Sequence, residues 1–211
     1  WKDFSYDEMK KAVSAHTIDV LSALKEADVT PEWVQIGNET SDGMLWDMGK
    51  ASLNPDLYAG LHNAGYDAAK SVFPNTKVMV HIDNGYDSSR NWLVATLKEN
   101  GGKFDMIGVS HYPVYAVSEG KFKTWKSCND KLIANIRTLI NTFDADVMVV
   151  EFGYAVSEAG DGKKCLQDLM TRCSGIMQCE GVMYWEPQCY DWEHYANGAF
   201  SSSGKPTSIL D

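Results

Sequence analysis

The sequence predicts an α/β protein whose parallel strands are covered by helices on both faces. Nearly continuous apolar runs alternate with amphipathic helical segments, which is typical of strands buried on both sides. Five such runs end near positions 39, 84, 111, 151 and 186, the spacing of successive strand-helix units. No Gly-x-Gly-x-x-Gly motif follows the first run, so a (β/α)8 barrel is favoured over a dinucleotide-binding sheet.

The first helix is predicted from a capping box. Ser5 and Glu8 are spaced as an N-cap residue and the third helical residue, and apolar residues then recur at helical spacing until Asp28. A strand over 33–39 follows. It ends on the pair Asn38-Glu39, so that two polar side chains stand at its carboxyl end.

The remaining elements continue the alternation. A second helix is predicted to begin at Pro55, because proline suits the first helical turn, and to end before Pro74. Further strands are predicted over 77–84, 146–152 and 181–187, and residues 104–112 are a strand or the end of a loop. Further helices are predicted over 89–100 and 165–174, and a long helix passes through Leu132, Ile136, Leu139 and Phe143. The segment from Ser157 to Lys164 is predicted to be a loop.

The predicted strand count bears on how much of a barrel this chain contains. A closed barrel needs eight strands, and 211 residues is close to the lower limit for that fold. The chain also begins on a helix. We therefore expect residues 1–211 to be a single catalytic domain that carries about the last five βα units of a TIM barrel, with roughly three units missing before Trp1.

Composition narrows the class of partner. The formal net charge of −10 disfavours nucleic acid or an anionic membrane as the partner, since both reward a basic surface. No apolar segment approaches the roughly 20 residues that cross a bilayer. The five cysteines are an odd number without Cys-x-x-Cys spacing, which disfavours structural zinc and leaves both disulfides and buried thiols open.

Two glutamates are the candidate catalytic residues. Glu39 and Glu151 each stand at the carboxyl end of a predicted strand, where active sites of (β/α)8 barrels lie. They are three units apart, so we expect them across the barrel mouth from each other. Paired carboxyl groups about 5–5.5 Å apart retain configuration at the anomeric carbon of a sugar, whereas roughly 6.5–9.5 Å implies inversion. The sequence predicts a glycoside hydrolase.

Other polar and aromatic residues near the strand ends are candidate substrate contacts. Asn38 could hydrogen-bond a sugar hydroxyl, and the ring of His111 or Tyr112 could hydrogen-bond a carboxylate. Trp46 and Trp185 offer flat apolar platforms for a pyranose ring. The full set of candidate substrate contacts is Asn38, Trp46, His81, Asp83, His111, Tyr112, Trp185 and Glu186.

Metal chemistry is disfavoured. His81, Asp83 and His111 could be imagined as ligands, but the sequence has neither a His-x-x-x-His pair nor a dense carboxylate cluster. We therefore expect no metal and no cofactor. Calcium stays open as an alternative at two acidic segments, which are Glu158 to Asp161 and the loop containing Asp191, Glu193, His194 and Asn197.

These motifs together resemble family 53 glycoside hydrolases, the arabinogalactan endo-β-1,4-galactanases. The matching stretches run in order over nearly the whole chain: Val34 to Glu39 with Gly43 to Trp46, His81 to Asp83 with Gly85, Gly108 to Pro113, Val149 to Glu151, and Gly181 to Pro187 with Asn197 to Ala199. The resemblance implies a (β/α)8 barrel and retaining hydrolysis of β-1,4-galactan. It also implies that Glu39 is the acid/base and Glu151 the nucleophile.

The resemblance also implies a partner and a location. We expect a polysaccharide substrate, no nucleic-acid or membrane partner, and a secreted, periplasmic or cell-surface protein. The loop after Glu151 is shorter than in bacterial members that bind calcium there, so that ion is not carried over. The alternatives are a retaining β-mannanase or β-glucanase of the same clan and an inactive carbohydrate-binding fragment.

Overall fold

The computed structural model describes residues 1–192 and 195–211. Within them five strands alternate with helices, and neighbours in the sheet follow chain order. The strands are β1 Trp33–Gln35, β2 Lys77–Ile82, β3 Met106–His111, β4 Asp146–Phe152 and β5 Cys179–Tyr184. The helices are α1 Tyr6–Glu26, α2 Pro55–Val72, α3 Trp92–Glu99, α4 Pro113–Ser118, α5 Trp125–Phe143 and α6 Ala159–Ser174. This arrangement is a partial (β/α)8 barrel, which confirms the predicted fold class.

The chain divides into two compact units. Unit 1 comprises Trp1–Ile82 and Ser89–Gly108, and unit 2 comprises Asp83–Ser88 and Val109–Asp211. In unit 1, α1 begins with the predicted capping box, since the Ser5 hydroxyl accepts from the Glu8 N–H and the Glu8 carboxylate accepts from the Ser5 N–H. Helix α1 packs on α2. Two clusters form the core there: Leu21, Ile36, Ala69, Phe73 and Val78, and Met9, Val13 and Leu61.

Strand β1 is shorter than predicted. It pairs in parallel with β2 and ends at Gln35, so residues 36–39 form a bend instead of the end of the strand. The cause is backbone conformation, because Gly37 has φ +79° and Glu39 has φ +44°, both in the left-handed region that breaks a ladder. A Cβ on Gly37 would lie 2.5 Å from Thr40 Cγ2, so only glycine fits this bend. The bend turns Glu39 out of the sheet.

In unit 2, β4 pairs in parallel with β5, and the register shifts twice along the pair. Strand β5 ends at Tyr184, so Trp185 and Glu186 follow the strand and are not part of it. Helix α5 buries the apolar residues that predicted it, among them Leu132, Ile136 and Leu139. The short helix α4, which begins at Pro113, was not predicted.

Helix α6 corrects one prediction. The chain forms a 3-10 turn over Val156–Glu158 and then enters α6 at Ala159, so the segment from Ser157 to Lys164 is largely helical and not a loop. Two glycines in the first turn hide the helical pattern in the sequence. Gly162 is closely packed, because a Cβ there would lie 3.0 Å from Ile209 Cδ1 and the isoleucine side chain would have to shift.

The other boundaries differ by a few residues from the predictions. Strand β2 ends at Ile82, two residues early, and the helix predicted over 89–100 begins as a 3-10 turn over Ser88–Asn91 before α3. Among the described residues, no helix combines the length and the apolar character needed to span a membrane.

Candidate active site

In unit 1, the backbone of Glu39 is held by a buried histidine. The Glu39 N–H donates to His81 Nδ1 at 3.2 Å, and His81 is fully buried in β2. Because Nδ1 accepts, a neutral His81 ring carries its proton on Nε2. A carboxylate oxygen of Glu39 and a ring nitrogen of His81 also lie within 4.8 Å of each other. His81 therefore lies directly beside Glu39, whose side chain is exposed.

The residue after Glu39 anchors the bend to β2. Thr40 donates to the His81 carbonyl twice, from its N–H at 2.8 Å and from its hydroxyl at 3.0 Å. The same hydroxyl lies 3.2 Å from the hydroxyl of Tyr58 on α2. Burial raises the pKa of Tyr58 to about 12, although its hydrogen bond to Thr40 opposes the shift. Tyr58 thus stays protonated, and the bend is fixed to both β2 and α2.

Asn38 and Trp46 lie at the surface of unit 1. The side-chain oxygen Oδ1 of Asn38 accepts from Gln35 Nε2 at 3.1 Å. Trp46 is 62% exposed, its Nε1 donates to the Asp42 carbonyl at 3.0 Å, and Lys50 Nζ lies 4.7 Å from the ring centroid. The indole is thus held in place while much of it faces solvent.

In unit 2, Glu151 is a buried carboxylate with a defined donor. It lies in β4 and is 7% exposed, and the hydroxyl of Tyr112 donates to its Oε2 at 2.8 Å. Burial raises the pKa of Tyr112 far above its usual range, and the hydrogen bond and negative charge of Glu151 raise it further. Tyr112 therefore remains a hydrogen-bond donor, and donation to a carboxylate favours its ionised form.

His111 does not share this role with its neighbour. It is fully buried, and its Nε2 lies 2.8 Å from Asn129 Oδ1. Burial lowers the pKa of His111 to about 4, although the hydrogen bond with Asn129 opposes the shift. Among the described residues, His111 Nδ1 finds no hydrogen-bond partner. The structure thus places His111 in the interior, and Tyr112 is the residue that contacts the carboxylate.

The other candidate contacts of unit 2 lie after their strands. Asp83 accepts a hydrogen bond from Asn84 Nδ2. The Trp185 N–H donates to the Phe152 carbonyl at 2.8 Å, and its indole is 43% exposed. Glu186 is exposed and accepts from Gln188 Nε2 at 3.1 Å.

Two residues near Glu151 were not among the site residues predicted from the sequence. Tyr195 donates from its hydroxyl to the Trp185 carbonyl at 2.9 Å, and Gly153 lies between the rings of Tyr195 and Tyr112. Tyr195 falls in the tail, residues 188–211, which follows the last predicted strand. No helical or strand periodicity there predicts the direction of a side chain. A glycine two residues after a candidate catalytic glutamate was the only available signal.

The two acidic segments that the sequence left open for calcium both belong to unit 2. The segment proposed for calcium near Asp161 is the first turn of α6, where Asp161 pairs with Lys164 at 2.9 Å. In the second calcium segment Asn197 is buried, and Glu193 and His194 lie outside the described residues.

Comparisons with known proteins agree with a partial (β/α)8 barrel. The model of glycosyl hydrolase family 53 matches residues 1–176. A Humicola insolens arabinogalactan endo-β-1,4-galactanase is 31% identical, and the match covers 100% of this chain and 66% of that protein. An uncharacterized Niallia circulans protein from the bgaB 5′ region is 36% identical, over 73% of this chain and 42% of that protein.

A solved structure is similar over almost the whole chain. One of two fungal β-1,4-galactanases superposes with a TM-score of 0.85 at 25% identity, covering 98% of this chain and 68% of that one. The chain spans 42% to 66% of the length of the two relatives above. The family match extends over far more than half of the 211 residues, and the chain therefore belongs to glycosyl hydrolase family 53.

Proposed function

We propose that this protein is a retaining endo-β-1,4-galactanase that acts on galactan and type I arabinogalactan. Glu151 attacks the anomeric carbon while the protonated carboxyl of Glu39 gives its proton to the departing glycosidic oxygen. Glu39 then removes a proton from the water that releases the sugar from Glu151. The relative from Humicola insolens bears the name of this activity.

One observation carries the assignment of the nucleophile. The Tyr112 hydroxyl donates to Glu151 Oε2 at 2.8 Å inside unit 2, where Glu151 is 7% exposed. A nucleophile must be ionised and held in one orientation, and a buried donor that does not itself lose its proton supports both. Tyr112 meets that condition because its own pKa is raised.

The environment of Glu39 supports the acid/base role. A general acid that becomes a base within one cycle has to exchange protons with water, and the side chain of Glu39 is exposed. Its backbone is nevertheless fixed by the hydrogen bond to His81. Solvent access with a fixed backbone suits a proton donor better than a nucleophile.

The remaining roles complete the proposal. Asn38, Trp46, Asp83, Trp185 and Glu186 contact the sugar chain, whereas the buried His81 and His111 support the residues beside them. The reaction needs no cofactor. We further propose that residues 1–211 belong to one catalytic domain and that the protein acts outside the cytoplasm, where polysaccharide is present.

The test is a pair of variants of the full-length protein on β-1,4-galactan. Glu151→Ala removes the nucleophile, so we expect reducing-sugar release to fall by at least about a thousandfold. Glu99→Ala, an exposed glutamate at the end of α3, is the control and should keep wild-type activity. Activity of Glu151→Ala within about tenfold of wild type would overturn the assignment.

Substrate choice is tested separately. Reducing-sugar release should be fastest on galactan in a panel that also contains mannan and β-glucan. Faster release from mannan or β-glucan would replace the substrate while leaving the mechanism in place. Binding of galacto-oligosaccharide without turnover would identify a carbohydrate-binding protein instead.

A further inference from the structure

Tyr195 connects the end of β5 to the side chain that contacts Glu151. Its hydroxyl donates to the Trp185 carbonyl at 2.9 Å and lies close enough to the hydroxyl of Tyr112 for each tyrosine to shift the pKa of the other. Tyr112 in turn donates to Glu151 Oε2 at 2.8 Å. The order of polar groups is therefore Trp185 carbonyl, Tyr195 hydroxyl, Tyr112 hydroxyl and Glu151 carboxylate, all within unit 2.

The two tyrosines can meet only because residue 153 lacks a side chain. A Cβ on Gly153 would lie 2.7 Å from Tyr112 Cε1 and 2.8 Å from the Tyr195 hydroxyl. A Cβ atom essentially never comes within 3.0 Å of another heavy atom, so any larger residue would separate the two rings. Gly153 follows the end of β4, two residues after Glu151.

Counting protons defines what each hydroxyl does. The two hydroxyls carry two protons and contact a carboxylate, a carbonyl and each other. An ionised carboxylate is the strongest acceptor present, so it takes the proton of Tyr112. The proton of Tyr195 goes to the Trp185 carbonyl. The oxygen of Tyr195 then faces Tyr112 as an acceptor that is not yet used.

We propose that Tyr195 is a positioning residue that accepts the hydrogen bond of the Tyr112 hydroxyl when Glu151 becomes bonded to the sugar and loses its charge. This inference rests on the proposed function. Tyr195 acts through Tyr112 and touches no reacting atom. When Glu151 forms its ester bond, the carboxylate loses its charge and becomes a weaker acceptor, so the Tyr112 hydroxyl turns to Tyr195 without an unsatisfied proton.

The first test removes only the hydroxyl. In the full-length protein, Tyr195→Phe keeps the ring, so we expect kcat to fall by about tenfold with KM nearly unchanged, since one neutral hydrogen bond is lost. The acid limb of the kcat/KM profile should move to lower pH, because the uncharged form of Glu151 loses the acceptor that satisfies Tyr112. Tyr190→Phe is the matched control, because Tyr190 lies in the same tail with an exposed side chain, and it should behave as wild type.

A double-variant cycle separates positioning from general support of the fold. If Tyr195 acts through Tyr112, Tyr195→Phe should change kcat less than twofold in a Tyr112→Phe background. Gly153→Ala should reproduce the shifted acid limb, because its Cβ forces the two tyrosines apart. Effects of Tyr112→Phe and Tyr195→Phe that multiply in full would overturn the proposal.

A titration of Glu151 tests the positioning role of Tyr195 without an activity assay. The carboxyl carbon of Glu151, followed by NMR in protein labelled with carbon-13 glutamate, should titrate at lower pH in Tyr195→Phe than in wild type. An unchanged titration would overturn the positioning role whether or not the protein hydrolyses galactan. The two claims can fail separately. If the titration shifts but wild-type protein releases no sugar from galactan, the proposed function is wrong and the positioning role of Tyr195 stands.

Discussion

Tyr112 Oη lies 2.8 Å from Glu151 Oε2 and donates its proton to that oxygen. The donor follows β3 and the acceptor lies in β4, so two strand ends meet in one charge-assisted hydrogen bond. Burial and the carboxylate together raise the pKa of Tyr112, which keeps its hydroxyl protonated as a donor at neutral pH. This pair gives the proposed nucleophile its orientation.

Removing the hydroxyl of Tyr112 should weaken the nucleophile. We expect Tyr112→Phe to lower kcat by about 10- to 100-fold, since a hydrogen bond to a charged group contributes roughly 1.5–3 kcal/mol. The acid limb of the pH profile should shift upward, because the ionised carboxylate loses a donor. Tyr115→Phe serves as the control, since its exposed ring lies 5.8 Å from that of Tyr112. Equal kinetics for the two variants would remove Tyr112 from the mechanism.

Changing Glu39 should affect substrates according to their leaving groups. Glu39→Ala removes the proposed proton donor, so galactan hydrolysis should fall by about a hundredfold or more. Formation of the covalent intermediate from an aryl galactoside with an acidic phenol should change little, because such a leaving group departs without a proton. Stopped-flow measurement of phenol release checks this. A loss as large as that on galactan would assign Glu39 another role.

Two buried histidines make stability depend on pH. Burial lowers the pKa of His62 and of His111 to about 4 in the folded protein, whereas an unfolded chain has the ordinary value near 6.5. Between these values the unfolded state binds more protons, so stability is full above about pH 6.5 and falls as the pH drops toward 4. For each histidine, the free energy of unfolding should fall by roughly 2 kcal/mol when the pH is lowered from 7 to 5.

Urea unfolding at pH 7 and pH 5 measures this loss. The variant His62→Gln should lose less stability over that interval than wild type, because one titrating group is gone. His16→Gln, the same substitution at an exposed position of α1, is the matched control. If His62→Gln showed the same pH dependence as wild type, the buried His62 would not contribute to the loss of stability at low pH.

Asp105 should be a stability determinant of unit 1. Burial alone would raise its pKa, but hydrogen bonds from Lys70, the Val78 N–H and Tyr66 lower it. Lys70 Nζ lies 2.7 Å from the carboxylate. Asp105→Ala leaves those donors without their acceptor, so the free energy of unfolding should fall by about 2–3 kcal/mol.

A surface ion pair provides the comparison for Asp105. Asp67 pairs with Lys103 at 2.9 Å, and both side chains are largely exposed. Solvent screens such a pair, so Asp67→Ala should lose much less stability than Asp105→Ala in the same denaturant series. Equal losses would show that the hydrogen bonds of Asp105 contribute no more than a surface contact.

The sequence predicted the strand order because buried parallel strands are written as apolar runs, and Asp146–Phe152 carries such a run with its stated bounds. It missed the end of β1 because Glu39 adopts positive φ, which side-chain patterns do not encode. It missed the start of α6 because Gly160 and Gly162 interrupt the helical signal.

The sequence likewise identified some residues of the candidate site and missed others. Glu151 and Tyr112 were identified from their places at strand ends, and chain order alone brings neighbouring strand ends together. His111 occupies the preceding position and points into the interior instead, since successive side chains of a strand face opposite ways. Tyr195 lies in an irregular tail, and only tertiary structure could place its hydroxyl beside Tyr112.

Covalent trapping tests the central claim most directly. A 2-deoxy-2-fluoro-galactoside with an activated leaving group should form a stable ester with the nucleophile, because fluorine slows the breakdown of the intermediate. Digestion and mass spectrometry should find the sugar on the peptide that contains Glu151, and the label should be absent from Glu151→Ala. A label on another residue, or an inverted anomeric configuration in the first product, would contradict the proposed mechanism.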